Sequence, residues 1–279
     1  MIEALLPALL AGLAGLLIGS FLNVCIYRLP RDLSVVAPRS YCPQCDQPIA
    51  WFDNIPVASY LALGGRCRQC GERIPLRYPT VELLTGAAFF GAVWMLGPTA
   101  AALKFCVFSA ILITLVFSDL EERILPDEFT LGGAAIGIIF AAFVPFNWGI
   151  VRAFLFRVEN PRLVSMGESL FAALFCGGTL WLVGFLYEKL RHREGLGFGD
   201  VKMVAMIGAF LGLQGALMTL IVGSLLGALV GLCYIWFTGR DASTYELPFG
   251  TFLGAAALGV GFFAEVFLTW YNRLSAPGS

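Results

Sequence analysis

The sequence predicts an all-α, polytopic membrane protein of about eight transmembrane helices, with a small polar insertion between the first two. Three observations predict it. Of 279 residues, 58% are hydrophobic and only 13% are charged, about half the charge of an ordinary soluble domain. Mean hydropathy is +0.81. Apolar stretches recur at lengths near the ~20 residues a helix needs to cross a bilayer. The surplus of apolar side chains therefore faces lipid. A formal net charge of −1 gives no electrostatic reason to expect a nucleic-acid partner.

The candidate spans are Leu5–Cys25, Val81–Leu96, Ala100–Ser118, Phe129–Phe146, Ser169–Tyr187, Val201–Leu213, Ala216–Phe237 and Thr251–Trp270. The first has no basic n-region and no evident cleavage site, so it is read as a retained span. The second and sixth are the shortest. Asn147–Gly167 mixes aromatics with Arg152, Arg157 and Arg162; it is either an amphipathic segment in the outer interface or a plain loop. Small-xxx-small pairs at Gly15/Gly19, Gly133/Gly137, Gly208/Gly212, Gly223/Gly227 and Gly227/Gly231 predict close helix crossings. No repeat suggests an inverted-repeat transporter.

Basic residues orient the spans. The loops between spans one and two, three and four, five and six, and seven and eight hold Arg28, Arg31, Arg39, Arg66, Arg68, Arg73, Arg77, Arg123, Lys189, Arg191, Arg193, Lys202 and Arg240. The opposite side holds Arg152, Arg157, Arg162 and Arg273, with Lys104 near the start of the third span. The basic side is expected to be the cytoplasm and both termini are expected outside. The expected organisation is a first span at 1–27, a cytoplasmic insertion at 28–80 and a membrane-embedded remainder at 81–279.

Four of the eight cysteines form two pairs in that insertion, Cys42-Pro-Gln-Cys45 and Cys67-Arg-Gln-Cys70, separated by 21 residues. Two such knuckles supply four thiolates to a tetrahedral zinc. A cytoplasmic location argues against disulfides. The loop has too few aliphatic residues to hold a fold alone, which a metal would supply. Four cysteine ligands leave no open position, so the expected site is structural. The alternative is a set of reduced or redox-active thiols. Cys25, Cys106, Cys176 and Cys233 lie in apolar stretches and read as small buried hydrophobes.

Two aspartates stand at the cytoplasmic edges of spans. Asp119 closes the third span, in Phe117-Ser118-Asp119-Leu120-Glu121-Glu122, and Asp200 follows Gly197-Phe198-Gly199 at the start of the sixth. Ionisable groups at that level are costly and mark functional sites. Two carboxylates brought together share a proton, so one can activate a water while the other protonates a leaving amine. That is aspartyl proteolysis. The glycines would let the chain bend before Asp200, at a helix N-terminus. On spacing alone, Asp119, Asp127 and Asp200 are equally readable as caps in solvated loops. An ion path lined by aspartates and a non-enzymatic metal-dependent docking subunit also stay open at this stage. His192 is the lone histidine and lies in the basic Lys189–Arg193 cluster; one histidine cannot build a zinc-protease site. Neither a Gly-x-Ser-x-Gly elbow nor a phosphate-cradling glycine loop occurs. Glu82 reads as the cytoplasmic start of the second span, and Glu265 as the outer part of the eighth.

The ordered series is more specific than any one motif. It runs Gly19-Ser20-Phe21-Leu22-Asn23-Val24, Arg28-Leu29-Pro30, the cysteine pairs flanking Asp53-Asn54-Ile55-Pro56, Arg77-Tyr78-Pro79 with Val81-Glu82, Asp119 with Leu125-Pro126-Asp127, Gly197-Phe198-Gly199-Asp200 and Pro248-Phe249-Gly250. It resembles the type IV prepilin peptidases, a family of bifunctional leader peptidases and N-methyltransferases with a Gly-x-Gly-Asp aspartyl protease centre. The resemblance covers most of the chain. It implies Asp119 and Asp200 as the catalytic pair and a bacterial inner-membrane location. It also implies substrates among the prepilins of type IV pili and the pseudopilins of type II secretion. The basic leader would be cut on the cytoplasmic side after a glycine, and the new N-terminal residue would be methylated from S-adenosylmethionine. No nucleotide fingerprint locates the methyl donor. Asn23, Arg28, Asp53, Asn54 and Arg77 are candidates for that site or for leader binding, or else supports of the knuckles.

Overall fold

A computed structural model describes residues 2–146, 149–151, 160–192, 196–238 and 248–275, with side chains between residues 4 and 263 of those ranges. Its helices are α1 (Ile2–Arg28), α2 (Ala58–Ala62), α3 (Arg77–Leu96), α4 (Ala100–Glu122), α5 (Asp127–Ala141), α6 (Pro161–Arg191), α7 (Phe198–Thr238) and α8 (Phe249–Ser275), with 3-10 turns at Leu29–Arg31 and Trp51–Asn54. No strand longer than an isolated bridge occurs among the described residues. α1, α3, α4, α6 and α7 are each long and apolar enough to cross a membrane. The chain divides into two compact units, Met1–Pro126 and Asp127–Ser279.

In the first unit, α1 and α3 meet along a glycine seam. A Cβ on Gly15 would stand 2.7 Å from the Thr85 carbonyl oxygen, and one on Gly19 would stand 2.7 Å from Glu82 Cα. Only glycine lets the two backbones approach this closely, as the Gly15/Gly19 spacing predicts. Thr99 caps α4 by accepting from the Ala102 N–H at 3.3 Å. The helix ends where Arg123 turns left-handed (φ 55°) and returns its N–H to the Asp119 carbonyl at 3.1 Å. Phe108, Leu112 and Leu115 of α4 are fully buried, so this helix carries the unit's core.

In the second unit, the first part of α7 packs between α5 and α6. A Cβ on Gly137 would press on Phe210, and one on Gly208 would meet the Ala172 carbonyl at 2.8 Å. Ser169 Oγ donates to the Ala209 carbonyl at 2.7 Å, an interhelical bond within the apolar bundle. The later part of α7 packs on α8, Gly223 against Leu253 and Gly227 against Phe252.

The structure moves several expected boundaries. Spans six and seven are two helices that follow one another within α7, and they part at Gly212, whose φ of 71° and ψ of −179° are non-helical, not between Leu213 and Ala216. Gly212 is thus a helix breaker and not the second half of a packing pair with Gly208. α6 starts at Pro161, because Asn160 caps it through a bond from the Arg162 N–H at 3.1 Å and Pro161 takes the first helical position. The stretch Pro161–Gly167 is therefore helix and not loop, and residues 147–148 and 152–159 of that segment lie outside the described residues. α5 stops at Ala141, short of Phe146. Cys25, Cys106 and Cys176 are buried as expected, whereas Cys233 is exposed on α7. His192 closes α6 in the left-handed conformation, its N–H on the Glu188 carbonyl at 2.8 Å. Asn147, Arg152, Arg157, Arg193, Arg240 and the side chains of Glu265 and Arg273 lie outside the described residues.

Candidate active site and metal centre

The insertion between α1 and α3 is built from two copies of one turn. In the first, the Cys42 N–H donates to Gln47 O at 3.0 Å and the Asp46 N–H to Cys42 O at 2.8 Å. In the second, the Cys67 N–H donates to Glu72 O at 2.8 Å and the Gly71 N–H to Cys67 O at 3.0 Å. Each turn needs a left-handed residue just after its second cysteine: Asp46 (φ 53°) and Gly71 (φ 72°). Each is closed by an isolated bridge, Tyr41 with Pro48 and Arg66 with Arg73.

The two knuckles bring the four thiols together. The Sγ atoms of Cys42, Cys45, Cys67 and Cys70 all lie within 4.8 Å of one another. Cys42 and Cys70 Sγ are 3.9 Å apart. A disulfide needs ~2.05 Å. Four sulfurs at ~2.3 Å from a tetrahedral zinc stand about 3.8 Å apart, so the donor set and its spacing fit a four-coordinate metal. Backbone N–H groups of Cys70 and Gln69 aimed at Cys67 draw its thiol down to about 7. Cys70 is pushed up to about 12: the Glu72 backbone bond favours its thiolate, but desolvation and the other sulfurs outweigh it. A cation bound among the four sulfurs would favour their thiolate forms.

The polar residues proposed for ligand or leader binding mostly face the protein. Asp53 takes a two-pronged bond from Arg68, at 2.7 and 2.8 Å, tying the Trp51–Asn54 turn to the second knuckle. That guanidinium holds the Asp53 carboxyl below its ordinary value. Buried Arg28 donates to the carbonyls of Ser34 (2.9 Å) and Arg39 (3.4 Å), closing the insertion's first loop. Buried Asn23 donates to Gly19 O and Tyr78 O, joining α1 to α3. Arg77 pairs with Glu121 and lies over the Tyr78 ring. Asn54 alone of the five is exposed. Asn23 Oδ1 and Arg77 Nε are the buried side-chain atoms without a partner among the described residues. Glu82 is buried too, and accepts the Val57 N–H at 2.7 Å; it anchors the insertion to α3 and does more than mark the start of a span.

Asp119 lies in the last turn of α4 and is 6% exposed. Its helix end is fixed from three directions: Glu121 pairs with Arg77, Glu122 pairs with Arg31, and Ser118 Oγ donates to the Ile124 carbonyl at 2.7 Å. Arg31 also lies over the Tyr27 ring. Arg77 is a candidate from the sequence, but its pairing with Glu121 and that of Arg31 with Glu122 escape sequence reading. Nothing local marks the pairs, which join positions 44 and 91 residues apart.

Asp200 is half-buried in the first turn of α7. Its N–H donates to Gly197 O at 3.1 Å. A Cβ on Gly197 would stand 3.3 Å from Asp200 Oδ2, so the missing side chain leaves room for the carboxylate. The expectation that Asp200 opens a helix behind a glycine holds. Lys202, one turn face away, pairs with Asp127 at the start of α5 and lies 5.0 Å from the Phe198 ring centroid. Asp127 is therefore an exposed first-turn residue of α5 with a cationic partner, which agrees with its reading as a cap residue between Pro126 and the fourth span.

Comparison with known proteins covers both units. Residues 13–96 match the bacterial peptidase A24 N-terminal domain, and residues 106–232 match the type IV leader peptidase family. Among curated relatives, a prepilin leader peptidase/N-methyltransferase of Myxococcus xanthus is 40% identical over 83% of this chain and 64% of its own length. Proteins of the same name from Aeromonas hydrophila and Legionella pneumophila are 33% and 34% identical, over 93% and 94% of this chain and 91% and 93% of their own lengths. No solved structure gives a significant match. With cysteine knuckles inside the first matched region and both aspartates inside the second, the chain belongs to the type IV leader peptidase family.

Proposed function

We propose that this protein cleaves the basic leader of type IV prepilins and pseudopilins after a glycine and then N-methylates the new terminus, using Asp119 and Asp200 as the catalytic pair. The observation that carries the reading is Asp119: a carboxyl 6% exposed at the end of an apolar helix of 23 residues. Such a group is expensive to keep, and a cap in a solvated loop would not be buried. Family membership supplies the reaction class.

In the working enzyme the two carboxyls share one proton. The ionised member takes a proton from water as the water oxygen attacks the carbonyl carbon of the leader's last glycine. The protonated member polarises the carbonyl oxygen. When the tetrahedral adduct collapses, the C–N bond breaks and the departing nitrogen takes a proton from the pair. S-adenosylmethionine, as second substrate, would supply the methyl group to the amine so released. The charge bias of the loops supports placing the end of α4, the start of α7 and the insertion on the cytoplasmic face of an inner membrane, with both termini periplasmic. The organisation proposed is a first helix at 1–27, a zinc-bound insertion at 28–80 and a protease body at 81–279. Cys42, Cys45, Cys67 and Cys70 would hold the zinc. With four thiolates it stabilises the knuckles and takes no part in hydrolysis.

The test is incubation of purified protein with a synthetic prepilin and isotopically labelled S-adenosylmethionine, with products read by mass spectrometry. The expected products are the free leader and a methylated mature chain. Asp119→Asn and Asp200→Asn should each abolish cleavage while insertion in the membrane persists. Full cleavage by either variant overturns the pair.

A further inference from the structure

The insertion joins α1 to α3, so both its ends leave the bilayer at the same surface. Its depth is fixed by one bond. The Val57 N–H donates to Glu82 Oε2 at 2.7 Å. Glu82 lies five residues into α3, a rise of about 7.5 Å along its axis. α3 has 20 residues, about 30 Å, which equals the hydrocarbon thickness. With α3 matched end to end to that thickness, the turn that carries Val57 sits about 7.5 Å inside the hydrocarbon edge, in the outermost acyl region beside a membrane helix.

What this segment shows at that level is apolar. Pro56 and Ser59 are buried, and Ser59 Oγ donates to the Phe52 carbonyl at 2.8 Å. Trp51 is 73% exposed and Leu61 72%, with Phe52 and Ile55 also exposed. On α3 itself Leu83 and Leu84 are exposed directly after Glu82, so the apolar surface of the span continues onto the insertion. Arg39, Arg66 and Arg73 are exposed and form no ion pair among the described residues; Arg66 reaches only the Gly71 carbonyl. Aromatic and aliphatic side chains at that level, in an insertion that also exposes three arginines without an ion-pair partner among the described residues, match an anionic leaflet in both polarity and charge.

We propose that the segment Trp51–Leu61 is an interfacial anchor. Trp51, Ile55 and Leu61 sink below the headgroups of the leaflet, and Arg39, Arg66 and Arg73 pair with anionic lipid phosphates. The metal-binding insertion is thereby laid on the membrane instead of projecting into the aqueous phase. This rests on the membrane fold and not on the proteolytic reading.

The test uses full-length protein in liposomes of equimolar phosphatidylglycerol and phosphatidylcholine. Their acyl chains carry bromines either near the headgroup end or near the terminal methyl. The emission of Trp51 is isolated from the other five tryptophans as the difference between wild type and Trp51→Phe. The expected result is several-fold stronger quenching by shallow than by deep bromines, without substrate. Weaker quenching is expected when phosphatidylglycerol is replaced by phosphatidylcholine. No quenching by shallow bromines overturns the proposal. So does quenching that changes only when a prepilin helix is added, which would make the patch a substrate-docking face. Quenching indifferent to phosphatidylglycerol overturns the role given to the arginines. As a second reading, Leu61→Asp should reduce the shallow quenching of Trp51 while metal content stays unchanged.

Discussion

Gly19→Ala tests the seam between α1 and α3. A methyl at Gly19 would stand 2.7 Å from Glu82 Cα and 3.1 Å from the Val81 carbonyl oxygen. Carbon atoms pack at about 3.5–4.0 Å, so the helices must separate by roughly 1 Å. Two of the three nearest atoms are backbone and cannot swing aside. Overpacking of this kind costs about 1–3 kcal/mol. Against it, alanine gains about 1 kcal/mol of helix propensity over glycine. The expected net is a loss of up to about 2 kcal/mol. Gly178→Ala is the internal control. That glycine also lies within a helix, but nothing lies within 4 Å of its added Cβ, so it should be neutral or slightly stabilising. The assay is reversible unfolding in mixed micelles followed by tryptophan emission. Gly15→Ala should behave like Gly19→Ala, and the double variant should cost less than the sum, because one separation relieves both clashes. If Gly19→Ala proves as stable as Gly178→Ala, the close-packed seam is refuted.

Purified protein should carry about one zinc per chain, and chelation should make all four insertion thiols alkylatable; Cys45→Ser should lower metal content while helix content by circular dichroism is kept. The Asp53–Arg68 pair has a definite sign with pH: the arginine depresses the carboxyl, so its contribution is present above the ordinary value of about 3.9 and lost as pH falls through the depressed one. Acid titration of the insertion, followed by Trp51 and Phe52 contacts in NMR, should show no change from this pair between neutral pH and about 5. Asp127→Asn removes an exposed ion pair and should cost under about 1 kcal/mol of stability. If Lys202 holds the first turn of α7, leader cleavage should fall further than stability does, and the exchange Asp127→Lys with Lys202→Asp should restore part of kcat.

The apolar runs made most helices legible, because lipid demands long unbroken hydrophobic segments and the charged loops between them are easily seen. The two Cys-x-x-Cys pairs were equally plain, since metal ligation fixes residue type and spacing together. The start of α6 was misplaced because hydropathy stops at Arg162 and Glu168, and the decisive signal was the local Asn160-Pro161 cap. Glu168 looks like a loop residue by charge, yet it is buried and accepts the N–H groups of Ile150 and Val151. Gly212 was read as a packing glycine because glycines recur through α7, and spacing does not tell a close approach from a positive φ. The candidate site was legible in its two aspartates and four cysteines. The pairings of its supports were not: Arg31, Arg77, Glu121, Glu122, Asp127 and Lys202 act through long-range pairs that leave no local pattern.

The break at Gly212 has a consequence for the lipid. It leaves Phe198–Leu211 as a stretch of about 14 residues, roughly 21 Å of helix. The peptide groups freed at a break must find water or protein partners, because hydrocarbon offers none. A crossing this short, packed against an α5 of only 15 residues, draws the two headgroup planes toward each other, at a fraction of a kcal/mol per Å of mismatch. The membrane around the first turn of α7 is then pinched, and the polar boundary reaches Asp200 without the helix having to rise to meet it.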